Sequence, residues 1–183
     1  MTNDFKYLTN FCQSFCNILE KYTKYIVVSG FFVIVSGRSR ATEDIDIIIE
    51  RFDLDTFLKL HSELVKNHFQ CLQSSNPIEI HDLYLKENIP VRYIFNEQLI
   101  PNVELKFAKD KLDEFQIKTR VKIDFTEIDI YFSSIEANIA FKEELLKSPK
   151  DIDDAKHLRI VYSERIDERM IKKIKEMIKR YRL

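Results

Sequence analysis

Residues 25–50 read YIVVSGFFVIVSGRSRATEDIDIIIE, and the fold turns on how this stretch is read. It holds both glycines of the 183-residue chain, Gly30 and Gly37. Glycine gives up the most backbone freedom on folding, so it is kept where the chain needs a positive φ or a close approach. Residues 26–28 form a short, β-branched strand, and Ser29-Gly30 turns the chain. Residues 31–35 read as a short apolar helix, with a strand as the other reading for so short a run. The sequence GRSRAT, 37–42, is a basic loop, and DIDIII, 44–49, is a strand.

Residues two apart in a strand face the same side, about 6.6 Å apart. Asp44 and Asp46 therefore point together, and Ile45, Ile47 and Ile49 point the other way. Two carboxylates on a cleft-lining face need a cation or donors to offset their burial. Mg²⁺, or Mn²⁺ in its place, fits such a pair, because it takes one or two carboxylates together with substrate phosphates. The plainer reading is a solvated strand face near a sheet edge. The surroundings favour the first reading. Arg38 and Arg40 supply guanidinium forks suited to phosphate oxygens. The Thr42 hydroxyl sits two residues before Asp44. Ser29-Gly30 ends a strand and opens a helix whose free N–H groups attract anions.

Working outward, apolar residues at three- and four-residue steps predict a helix over 4–22. Asp53 caps a helix to about residue 68, with Leu54, Phe57, Leu58, His61, Leu64 and Val65 on its core face. Residues 69–72 are a strand, and Ser74 to Pro77 mark a turn. Residues 78–85 and 90–95 read as the two arms of a hairpin. Further strands are expected over 103–107, 118–125 and 127–132. Asn102, Glu104 and Lys106 alternate on one face of the first of these, which either lines the same cleft or, as the plainer reading, is a solvated face. Ser133 with Glu136 forms a capping-box pattern. From there three helices follow, the second over about 150–162 and the last over 167–182. The expected architecture is α+β: a mixed β-sheet flanked by helices over 1–132, and a three-helix C-terminal part over 133–183 packed on it as one compact unit.

Composition limits the function. Apolar residues make up 45% and charged residues 32%, the balance of a globular chain. A net charge of −1 removes any global attraction to nucleic acid or anionic lipid, so such binding needs a local patch. The last helix carries Arg169, Lys172, Lys173, Lys175, Lys179, Arg180 and Arg182, and is the expected footprint for RNA or an acidic partner. Three sparse cysteines and a polar N-terminus, with no run near the ~20 apolar residues of a membrane helix, predict a cytoplasmic protein with reduced thiols.

Ser29-Gly30 followed by Arg40-Ala41-Thr42-Glu43-Asp44-Ile45-Asp46 resembles the signature of the nucleotidyltransferase (DNA polymerase β-like) superfamily. The R-x-[ST]-x-D-x-D form is similar to toxin-type members from abortive-infection and toxin–antitoxin systems, and VSG, GRSRATEDID and SPKDIDDAKHL resemble archaeal relatives. The resemblance implies transfer of a nucleotide from an NTP to a hydroxyl of a tRNA or protein, with Mg²⁺ held by Asp44 and Asp46. Ser29, Gly30, Arg38, Arg40 and Thr42 would bind the nucleotide. Lys142, on the helix IEANIAFK, would be the later nucleotide-binding lysine, and Asp151 or Asp154, in KDIDD, a base or an orienting group. A cognate antitoxin would be the partner of such a toxin. Without the resemblance, Lys142 reads as a surface lysine and the aspartates as first-turn acids at a helix start.

Two departures keep a second reading open. The turn is Ser29-Gly30 followed by bulky Phe31. The strand expected beside the aspartates, 90–94, offers Arg92 where many relatives carry a third carboxylate. Arg92 would bind phosphate, or oppose the aspartates in place of the metal, giving a catalytically silent module that binds a nucleotide or a partner protein.

Overall fold

The computed structural model describes residues 3–39, 42–123 and 128–183. Five strands form one mixed sheet: β1 Tyr25–Val28, β2 Asp44–Ile49, β3 Phe69–Cys71, β4 Val91–Phe95 and β5 Gln98–Phe107, in the order β1-β2-β5-β4-β3. β2 runs antiparallel to β1 and parallel to β5. The parallel pair matters most for the site, because β5 and not β4 lies beside the aspartate strand. β4 and β5 form the hairpin, closed by Asn96 and Glu97, both at positive φ. Two such central residues match the twist of the strands they join.

Helices cover both faces. Helix α1 (Asn3–Leu19) and α3 (Leu54–Lys66) bury Phe15, Phe57, Leu60 and Leu64 in the core cluster that contains Ile45, Ile47 and Ile49. Asp53 caps α3, its side chain accepting from the Thr56 N–H. The buried face of α3 runs through Leu60, and Val65 is half exposed, one position round from the expected stripe. On the other face α5 (Lys111–Lys118) lays Ile117 against Ile26, Ile48 and Ala108. Between them α2 (Gly30–Val35) carries Phe32, which packs on Phe132 and stacks on Tyr162. The core continues into α6 (Ile135–Phe141), α7 (Pro149–Val161) and α8 (Glu168–Arg182) through Ile139, Leu158, Ile171, Ile174 and Ile178.

Four expectations are corrected. Residues 78–85 are helical: α4 (Pro77–Glu79) runs into a π-helical segment, Ile80–Leu85. Asn76 caps it and Pro77 fits its first position, so the supposed turn is a helix start, with Ile80, His81 and Leu85 buried on one face. The strand expected over 118–125 gives way to the C-terminus of α5, capped at its start by Asp110, and to a single bridge between Val121 and Phe132. Residues 124, 125 and 127 of that strand and the next lie outside the described residues, and the described part of the next, expected over 127–132, is reduced to isolated bridges from Phe132 to Val27 and Val121. The cap of α6 is Ser134, whose hydroxyl accepts from the Ala137 N–H, while Ser133 donates to Gln116 Oε1 at 2.9 Å. Among the described residues no helix is long and apolar enough to cross a membrane.

Candidate functional site

β2 presents Asp44, Asp46 and Ile48 on the face away from the α1–α3 core. The parallel register sets Asn102 beside Asp44, Glu104 beside Asp46 and Lys106 beside Ile48. The row continues to Arg92, opposite Glu104 on β4. Arg92 lies 3.6 Å from Glu104 and a full strand away from the aspartates. The strand beside the aspartates thus carries Glu104, and Arg92 balances that carboxylate from the far side.

Asp44 Oδ1 accepts from Asn102 Nδ2 at 2.7 Å. Thr42 Oγ1 is turned to the backbone, donating to the Asp44 carbonyl at 3.0 Å. Burial pushes the Asp46 carboxyl up, and the charges of Glu104 and Asp44 push the same way. Lys106 and a hydrogen bond from Ser29 oppose this without cancelling it. Asp46 is therefore an anion that the fold holds at a cost, as expected of a group awaiting a cation or a proton.

The turn is also strained. The positive φ that the sequence suggests for Gly30 falls on Ser29, at φ 67 and ψ −132, and Gly30 is the buried first residue of α2. L residues rarely adopt that backbone, which costs on the order of 1–3 kcal/mol. The serine keeps its hydroxyl on Asp46 in return. Ser29→Gly is expected to be about 1 kcal/mol more stable than Ser29→Ala, since both lose the hydroxyl and only glycine relieves the backbone. Urea melts of the two variants check it, and equal stabilities would remove the strain argument.

Downstream, α6 continues as a π-helical segment, Lys142–Leu146. It carries Lys142 into the interior, where only 1% of the residue is exposed. Its Nζ donates to Asp154 Oδ2 at 2.9 Å and to Asp151 Oδ1 at 3.3 Å. The two aspartates lie three apart on α7, and so share a face at its N-terminus. Ser148 caps that helix, accepting from the Asp151 N–H at 3.1 Å. Asp154 is fully buried, and its other oxygen pairs with the Arg38 guanidinium. Lys142, Arg38, Asp151 and Asp154 thus form one network, buried at Lys142 and Asp154 and partly exposed at Arg38 and Asp151. The surface reading of Lys142 does not survive. Arg40 lies outside the described residues.

Ser29, Asp46 and Lys142 meet in a cavity of about 400 Å³ between the sheet face and the C-terminal helices. Its walls also carry Lys106, Lys109, Asn138 and Arg182, and Phe141, Leu145 and Ile48 make it partly apolar. Gly30, Arg38, Thr42, Asp44, Asp151 and Asp154 stand outside this lining. Sequence reasoning missed Lys109 and Asn138, assigned Arg182 to the basic side of the last helix, and preferred a solvated face to the cleft for Lys106. The alternation of Asn102, Glu104 and Lys106 was visible, but the strand order that brings it beside Asp46 was not.

The residues suit a hard divalent cation that brings part of its own shell. Two carboxylates share the face, and beside Asp44 the buried Asn102 Oδ1 accepts no hydrogen bond among the described residues. No group of three His, Cys, Asp or Glu is gathered for a metal among the described residues. The carboxylate pair and the open amide oxygen would suit Mg²⁺, which takes one or two carboxylates and keeps water and phosphate oxygens in the rest of its shell.

No protein-family model matches the chain, and no curated protein matches it in sequence. Solved structures do. An antigenic nucleotidyltransferase-like protein from Paracoccidioides brasiliensis aligns with a TM-score of 0.56 at 13% identity, over 99% of this chain and 90% of that one. The antibiotic-resistance factor ANT(2'')-Ia aligns with a TM-score of 0.54 at 9% identity, over 96% and 92%. At such identities the likeness is one of fold, and the fold is nucleotidyltransferase-like, as the sequence resemblance implied.

Proposed function

We propose, from a nucleotidyltransferase-like fold whose cavity joins Ser29, Asp46 and Lys142, that the protein transfers a nucleotide from an NTP to an acceptor hydroxyl with Mg²⁺ or Mn²⁺. The meeting of these three groups carries the reading. They come from a turn, a strand and a helical segment 96 residues beyond that strand; Ser29 and Asp46 were singled out from their own surroundings, and Lys142 through the family resemblance. Asp44 and Asp46 hold the metal, with the open acceptor Asn102 Oδ1 beside them. The metal, when bound, neutralises charge on the phosphates and aligns the transfer. Lys142 meets the phosphates from the opposite wall, and the partly apolar wall of Phe141 and Leu145 takes the nucleoside. In the transfer the acceptor oxygen bonds to the α-phosphorus, the bond from that phosphorus to the bridging oxygen breaks, and pyrophosphate leaves. The acceptor proton passes to a carboxylate of the β2–β5 face. Asp151 and Asp154 orient Lys142 in this scheme. Arg38, tied to Asp154, supports the same lysine, and Gly30 lets α2 begin against the sheet.

The resemblance to toxin-type members supports a narrower version: a cytoplasmic enzyme acting on a tRNA or protein and restrained by a cognate antitoxin. The free cysteines, Cys12, Cys16 and Cys71, suit such a reducing compartment.

Isothermal titration with each Mg–NTP, followed by incubation with labelled NTP and total RNA or protein, tests the reading. Micromolar Mg–NTP binding that is lost on adding EDTA, with label passing to an acceptor, is expected. Absence of nucleotide binding would sink it, and metal-dependent binding with no transfer would favour the silent module.

A further inference from the structure

The cavity continues past Lys109. That residue lines both the cavity and a second, open groove of about 750 Å³ at the far ends of β2, β5 and α5. The groove is lined by Lys24, Arg51, Lys109, Lys118 and Arg120, against Glu50 and Glu114. Five cations to two carboxylates is a strong local excess in a chain with 29 basic and 30 acidic residues. Three of the five are engaged, Arg120 through the Tyr25 carbonyl at 3.5 Å. Lys24 stands 3.6 Å from Glu50, and Arg51 Nε donates to the Ala108 carbonyl at 2.9 Å. Lys109, Lys118 and Arg120 pair with no carboxylate among the described residues, and the Arg120 guanidinium lies 3.9 Å from the centre of the Tyr131 ring. Lys106, whose charge reaches Asp46, also acts on Lys109. A line of cations thus leads from Asp46 outward. Along β2 the groove begins near Glu50, four residues or about 13 Å from Asp46.

We infer that this groove carries the phosphodiester backbone of a nucleic-acid acceptor whose terminal hydroxyl reaches the cavity. A polyanion fits it better than a protein does. Protein interfaces centre on exposed apolar or aromatic anchors, whereas the apolar residues here, Ala108 and Ile117, are 5% and 1% exposed. Phosphate binding needs only spaced cations, and these give affinity without sequence preference. The basic helix α8, the footprint expected from sequence, serves less well. Lys175 pairs with Glu143, Lys179 stands near Glu144, Lys173 caps the Phe115 ring, and Arg182 pairs with Asp110 and Asp113. The inference rests on the proposed transfer for its purpose, but its binding can be measured without NTP or metal.

Fluorescence anisotropy with single strands of about 12 nucleotides, as RNA and as DNA of one sequence, and with polyglutamate of matched charge, tests it. Both nucleic acids are expected to bind, and the better of them identifies the acceptor. The logarithm of affinity should fall with log salt at a slope near −2, as three phosphate contacts give. Lys118→Glu with Arg120→Glu should weaken nucleic-acid binding by about ten-fold or more and leave Mg–NTP titrations unchanged. The same reversal at Lys59 and Lys66 on α3 should change nothing. Lys118→Ala with Lys24→Ala, which leaves the Arg120–Tyr131 contact intact, guards against a folding defect and should still flatten the salt slope. Preference for polyglutamate, absence of nucleic-acid binding, or equal loss from the α3 pair would overturn the groove. Intact Mg–NTP binding beside any of these confines the failure to the groove. Bound nucleic acid with no Mg–NTP binding confines it to the transfer.

Discussion

Asp46→Asn is expected to abolish nucleotidyl transfer, by at least about 10³-fold, while leaving the folded protein as stable as before or more so. The two halves have one cause. The ionised Asp46 is held on a partly buried face beside Glu104 and Asp44, and its carboxyl is pushed up. A group whose folded pKa exceeds its unfolded one is a burden when ionised. The penalty is absent below the unfolded pKa and complete once pH exceeds the folded one. Asparagine keeps the shape and an acceptor for the Ser29 hydroxyl, and removes the charge. At neutral pH the variant should therefore melt no lower than the parent protein. The transfer rate falls because the amide brings no negative charge to the cation and accepts no proton. The transfer assay and a thermal melt of the same preparation check both halves. A variant that loses activity and stability together would mark Asp46 as a structural group. One that keeps its transfer rate would remove the carboxylate pair from the chemistry.

How much of this could be read from the sequence depends on how local each feature is. β2 was legible to the residue, because DIDIII is a β-branched run that opens by alternating Asp with Ile, and the flanking loop is polar. The short α2 was legible from the turn before it, and the three C-terminal helices from their periodicity and caps. Residues 78–85 were not, because Ile80, His81 and Leu85 share a face in a π-helical segment that neither a period of two nor one of 3.6 describes. Nor was strand order. β5 reaches β2 only after a crossover of 48 residues, so nothing in the sequence sets Glu104 beside Asp46 and Lys106 beside Ile48. The resemblance led to the correct fold, yet it placed Arg92 on the neighbouring strand, one strand too near. The strained backbone at Ser29 had no signal of its own, because a glycine stood next to it to take the part.

Lys142 provides the sharpest division between architecture and chemistry. Lys142→Met alone is expected to destabilise the protein by about 3 kcal/mol, because it leaves Asp154, with no exposure to solvent, short of its closest lysine partner. Asp154→Asn alone should cost a similar amount, since a buried ammonium then keeps only the longer contact to Asp151. The double variant should cost much less than the sum. Methionine matches the lysine stem, and replacing a buried ion pair by apolar volume is often neutral, so a coupling of about 2 kcal/mol is expected from the cycle. Arg38, whose side chain is 25% exposed, can turn to water once Asp154 is gone. Stability is thus recoverable. Mg–NTP affinity supplies the other readout. If Lys142 meets the phosphates, the double variant regains stability and stays weak for nucleotide, because no positive charge returns to that wall. If the lysine only joins α6 to α7, affinity returns along with stability. The second outcome would confine the nucleotide to the turn at Ser29 and the carboxylates of β2, and would leave the network of Arg38, Lys142, Asp151 and Asp154 as scaffolding.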